Sequence, residues 1–206
     1  MGLFGIFRRH ALRDLAALAT FIDGQSLLLS ERIVQDYARG RAGAQAAALF
    51  AVPAFRAVLE KARWEAYPRA LAMLGELVEG ALRPHAGAKA QAVLASLAEL
   101  ILAAFDRHAA PQAIGAADWS AARTELTHSL GEFARDRPRT LDAIADTHAS
   151  YYLAIMPLDP RLQADNFPAL RNQLKLSLTA IGDRFVQQAD LTGLAGKLAA
   201  LASEAR

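Results

Sequence analysis

From Asp14 onward, apolar side chains recur at spacings of three and four, the period of an amphipathic helix. Leu15, Leu18, Ile22, Leu29 and Ile33 form the first stripe, and Phe21, Leu28 and Val34 widen it enough to predict two packing partners. Asp14 is placed to cap this helix. Gly24, Gly40 and Gly43 weaken it by about 1 kcal/mol each relative to alanine, so a kink or break is expected near residues 40–43. Pro53 suits the first turn of a second helix, whose face carries Trp64, Tyr67, Leu71, Leu74, Val78 and Leu82. Pro68 lies inside that run and predicts a bend or a split between Tyr67 and Arg69. Residues 84–87 read as a connection. A further stripe of Val93, Leu94, Leu97, Leu100, Ile101 and Phe105 follows.

Residues 109–117 contain Pro111 and Gly115 and predict a loop, after which Asp118 or Ser120 can cap a helix bearing Trp119, Leu126, Leu130 and Phe133. That helix should end before the charged turn at residues 135–139. Thr140 begins another, through Leu141, Ile144, His148, Tyr152 and Ile155, which Pro157 and Pro160 stop. Asn166 and Pro168 mark the start of the clearest stripe, Phe167, Leu170, Leu174, Leu178, Ile181 and Phe185. After Asp190, Leu191, Leu194, Leu198 and Leu201 complete the pattern. There is no two-residue alternation long enough for a strand and no repeat of solenoid period. The expected fold is therefore all-α, a single bundle of about six to eight antiparallel-packed helices over residues 14–206, preceded by an apolar and basic segment at residues 1–13.

Composition refines this picture. Of the 206 residues 53% are hydrophobic but only 7% aromatic, so close contacts of alanine and aliphatic side chains should build the core. The chain has no cysteine, which removes disulfides, thiolate nucleophiles and Cys-ligated metals. A pI near 9.1 suggests a nucleic-acid partner until charges are counted. The 23 basic against 21 acidic residues give no strong field, and no recognition motif is present, so nucleic acid is not an expected partner. Apolar residues precede the first basic pair, the reverse of a signal peptide. The longest uncharged stretch, residues 42–55, is short of the ~20 apolar residues a spanning helix needs. Gly2 lacks the Ser or Thr at position 6 that myristoylation requires, since Ile6 stands there. These features lead to the expectation of a soluble, cytoplasmic protein, with peripheral membrane attachment as an alternative.

Candidate chemistry is sparse. Glu125 and His128 have the i, i+3 spacing of a carboxylate-bridged metal site, but a second copy and further carboxylates are missing, and His128 points away from Leu126. A solvated face of Glu125, His128 and Glu132 is the simpler reading, and no metal or cofactor is expected. His148 lies on an apolar stripe beside Tyr151, Tyr152 and Asp146, where it can line a ligand pocket or be a hydrogen-bonded core residue. Ser150 lacks a nucleophile elbow, and the glycines at 40 and 43 lack the strand and Lys-Ser/Thr pair of a phosphate loop. Trp64 and Tyr67 are flanked by Arg56, Arg63 and Arg69, which suggests stacked ligands or anionic partners, but arginines on a solvated face beside Glu60 and Glu65 are the simpler reading.

The N-terminal Leu3, Phe4, Ile6 and Phe7, followed by Arg8 and Arg9, are an attachment candidate, for a protein partner or an anionic membrane, unless they dock onto the bundle. The leading expectation is a non-catalytic interaction or accessory protein that binds a partner, or itself, through an apolar groove or this segment. The alternatives are a helical enzyme or carrier with a pocket near His148 and Tyr152, and a peripheral membrane protein.

Overall fold

The computed structural model describes residues 12–133, 137–157 and 163–204. Among them are eight α-helices and no strand: α1 Leu15–Ala42, α2 Ala46–Ala51, α3 Pro53–Ala86, α4 Ala90–Asp106, α5 Ala116–Phe133, α6 Leu141–Ile155, α7 Gln163–Gln188 and α8 Leu191–Glu204. The all-α bundle expected from the apolar stripes is what the chain forms.

Several ends follow from local chemistry. Asp14 caps α1 by accepting from the Ala17 amide at 2.8 Å, Thr140 does the same for α6 through Ala143 at 3.3 Å, and Asp190 for α8 through Gly193 at 3.0 Å. Each satisfies one of the orphan amides of a first turn. Two short 3₁₀ turns, Gly43–Gln45 and Gly87–Lys89, separate helices. Gly43 sits at φ 53°, ψ −127° and Gly87 at φ 54°, ψ −133°. This backbone conformation is that of the first central residue of a type II′ turn, which glycine favours.

Three expectations fail at prolines and one at a cap. α3 runs unbroken through Pro68, and through Pro84 to Ala86, where a split and a connection were expected. An interior proline costs about 3 kcal/mol, whereas one buried aliphatic or aromatic side chain contributes ~1.5–3 kcal/mol. Residues 70–79 are buried without exception, so packing outweighs the missing amide. α7 starts at Gln163, ahead of Pro168, which lies within it. Likewise α5 starts at Ala116, placing Asp118 in its first turn rather than at its cap.

α3 is the axis of the fold. Every other helix packs against it, which is why its middle is enclosed on all sides. α1 pairs lengthwise with α3, α6 and α7 form a hairpin laid on α3, and α8 lies between α3 and α4. One contiguous core joins Leu18, Ile22 and Ile33 of α1 to Leu71, Leu74 and Val78 of α3, Leu97 and Phe105 of α4, Tyr152 of α6, Leu174 and Phe185 of α7, and Leu198 of α8. Leu12 belongs to this bundle rather than to a separate segment. It is buried, its amide donates to Gln188 O at 3.1 Å, and its carbonyl accepts from the Asp190 amide at 3.0 Å. The helical run Pro53–Asp106 also holds an 18-residue window of mean hydropathy 1.5, long and apolar enough by composition to cross a membrane, with 44% of it buried inside the fold. Uncharged run length alone had not revealed it. In α4 the apolar residues Val93, Leu97, Ile101 and Phe105 are turned into the core.

Candidate functional site

The α6 stripe that contains His148 faces α3, where the sequence hides two carboxylates. Glu76 and Glu79 are 5% and 2% exposed. Unpaired charges so placed would be strongly destabilising. His148 Nε2 lies 3.5 Å from Glu76 Oε1, and Arg139 Nη1 lies 3.5 Å from Glu76 Oε2. Glu79 pairs with Arg83 one turn on. Burial pushes the Glu79 carboxyl above its usual range, and the Arg83 hydrogen bond opposes that rise. His148 is thus a core residue engaged by Glu76, and this polar cluster ties α6 and the strand of chain before it to α3.

Tyr151 and Tyr152 point elsewhere. The buried Tyr152 hydroxyl donates to Ala66 O at 3.2 Å, and burial raises its pKa. Tyr151 donates to Glu65 O at 3.3 Å beneath the Arg69 guanidinium, 4.5 Å from its ring. It lines a recess of about 20 Å³ with Glu65, Arg69, Glu125 and Ser129, room for about one water. His148, Tyr151 and Tyr152 are neighbours in sequence, yet their polar atoms meet three different partners. Asp146 is engaged by Arg171 of α7. Glu125 pairs with Arg69 at 2.7 Å, while His128 lies on the exposed face, 3.8 Å from Glu132.

A second polar cluster escaped the sequence altogether. Asp23 of α1 accepts from the Tyr67 hydroxyl at 2.7 Å, meets His108 Nε2 at 2.9 Å and accepts from Arg107 at 3.3 Å. Around it Phe105 stacks on Trp119 at 4.3 Å, and Trp64 meets Trp119 edge-on at 5.8 Å. Burial and the bond to Asp23 raise the Tyr67 pKa, so Tyr67 is a fixed donor. Asp23 therefore joins α1, α3 and the end of α4. Its partners lie 44 and 85 residues away in sequence, and no local pattern links them. Tyr67 is buried, as its place on the apolar face of α3 predicts. Arg63 lies outside that face, gripping Glu60 at 2.6 Å and lying 4.4 Å over the Trp64 ring.

The surface is uneven in a way the interior is not. Where α1 ends and α3 begins, α2 packs on those two helices, and none of its six residues is buried. Val52 and Val58 are 45% and 47% exposed, and Leu49, Phe50 and Phe55 are half-buried. Phe50 meets Phe55 edge-on at 5.5 Å, and the Arg39 guanidinium caps the Phe50 ring at 4.2 Å. The uncharged stretch 42–55 thus forms an apolar tip at one end of the bundle. An open groove lined by Val58, Glu60, Lys61, Trp64, Ala109 and Pro111 adjoins it at Val58. The attachment candidates Leu3, Phe4, Ile6, Phe7, Arg8 and Arg9 lie outside the described residues. Comparison with protein-family models, curated proteins and solved structures finds no match to this chain.

Proposed function

We propose that this chain is a non-catalytic accessory protein that works by docking through the apolar tip formed by the end of α1, α2 and the start of α3. The observation that carries this reading is the contrast between inside and surface. The buried and half-buried carboxylates Glu76, Glu79 and Asp23 are engaged by structural partners: Glu76 by His148 and Arg139, Glu79 by Arg83, and Asp23 by Tyr67, His108 and Arg107. At the tip Val52 and Val58 are exposed and Leu49, Phe50 and Phe55 only half-covered, and a contiguous apolar cluster left partly open to solvent is the kind of surface that marks an interaction site.

Native mass spectrometry and metal analysis of the full chain, purified from its own host, test the reading against an enzyme or carrier. The expected result is the bare chain mass. A stoichiometric small molecule or metal that is lost in His148→Ala, with the fold intact, would overturn it in favour of a pocket beside His148 and Tyr152.

A further inference from the structure

The charges around the tip indicate what it docks on. Between Tyr37 and Leu59 the chain carries three arginines, Arg39, Arg41 and Arg56, and no acidic residue. All three are exposed. Five arginines elsewhere are matched by carboxylates, Arg63 with Glu60, Arg69 with Glu125, Arg107 with Asp23, Arg123 with Asp106 and Arg171 with Asp146, whereas Arg184 donates to the neutral Gln25 at 3.2 Å. Among the described residues Arg39, Arg41 and Arg56 have no ion-pair partner. An apolar end with an unneutralised cationic collar has the two-part chemistry of an interfacial anchor, in which apolar side chains enter the headgroup and acyl boundary while cations meet anionic headgroups.

Resting on the docking function above, we propose that the tip seats on an anionic phospholipid membrane. Leu49, Phe50, Val52 and Phe55 enter the interfacial layer, and Arg39, Arg41 and Arg56 lie at the headgroup phosphates. Phe50 and Phe55 are of the apolar type that interfacial anchors bury at the acyl boundary. A lipid surface also accommodates a projecting end with no matching cavity, whereas a protein partner must supply a complementary one.

The test is flotation of the full chain with vesicles of phosphatidylcholine alone or with 30 mol% phosphatidylserine added, at about 0.1 M and 0.5 M salt. Wild type is expected to float with the anionic vesicles at low salt and to be released by high salt. Each arginine contributes roughly fivefold near such a surface, so Arg39→Gln with Arg41→Gln and Arg56→Gln should weaken binding on the order of a hundredfold. Phe50→Ser with Phe55→Ser should abolish it. Val52→Asn with Val58→Asn, at half-exposed positions, provides a second apolar test that disturbs packing less than the phenylalanine pair. A chain lacking residues 1–10 should still float, which separates the tip from the N-terminal residues.

The proposal is overturned if wild type ignores anionic vesicles, or if it binds them equally well with the tip altered. In that event, tip-dependent self-association or binding of a defined protein would leave the docking function standing with a different occupant. A bound ligand at His148 would remove both.

Discussion

At Asp23 three donors converge on one carboxylate, so the two ends of its bonds should be unequal in mutation. Tyr67→Phe removes a single hydroxyl and leaves Asp23 with His108 and Arg107; a loss of about 1 kcal/mol is expected. Asp23→Ala strands the Tyr67 hydroxyl in the core and should lower stability by roughly 2–3 kcal/mol. Urea unfolding of the two variants measures this, and equal losses would show that Asp23 is not the hub. Glu79 offers a test with pH. Its carboxyl is raised by burial, so the folded chain binds that proton more tightly than the unfolded chain does. The stability linked to it is therefore full below the unfolded value, about 4.3, and is lost as pH rises through the folded value. Glu79→Gln should gain on wild type as pH climbs from about 4 toward neutrality. A difference that stays constant across the range would mean Arg83 fully offsets the burial.

Among the elements, glycines separate two kinds of chain geometry. Gly24 lies within α1 with open space where a Cβ would stand, and Gly24→Ala is expected to stabilise by about 0.5–1 kcal/mol. Gly43 and Gly87 have equally open surroundings but positive φ. Alanine there should destabilise by about 1–3 kcal/mol, because the obstacle is the residue's own backbone and not a neighbour. Thermal melts of the three variants distinguish these effects by sign. Helix faces were legible in the sequence because apolar spacing reports burial directly: Leu170, Leu174, Leu178, Ile181 and Phe185 are each buried, as their stripe predicted. Pro68 and Pro84 were misread because local propensity says nothing of how thoroughly α3 is enclosed. The burial of Glu76 and Glu79 left no trace in the local sequence for the same reason. The tip was visible only as an uncharged stretch, since its exposure depends on how little of α2 its neighbours cover.

For the whole molecule, the bundle is anchored at Leu12, whose backbone bonds bridge the junction of α7 and α8. A chain beginning at Ala11 should accordingly retain its helical circular dichroism and melt within a few degrees of full length; a steep fall would place Leu3, Phe4, Ile6 and Phe7 in the core instead. The central position of α3 has another consequence, for changes of chain length. One residue added between Gly75 and Glu76 would rotate everything beyond it by about 100°. The first half of α3, keyed to α1 and α5 through Tyr67 and Arg69, would then fall out of angular register with the second half, keyed to α6 and α7 through Glu76 and Leu77. Insertion scanning should find residues 59–82 intolerant of a single added alanine and residues 43–52 permissive. The helix that all others share is the one whose length the protein is least free to alter.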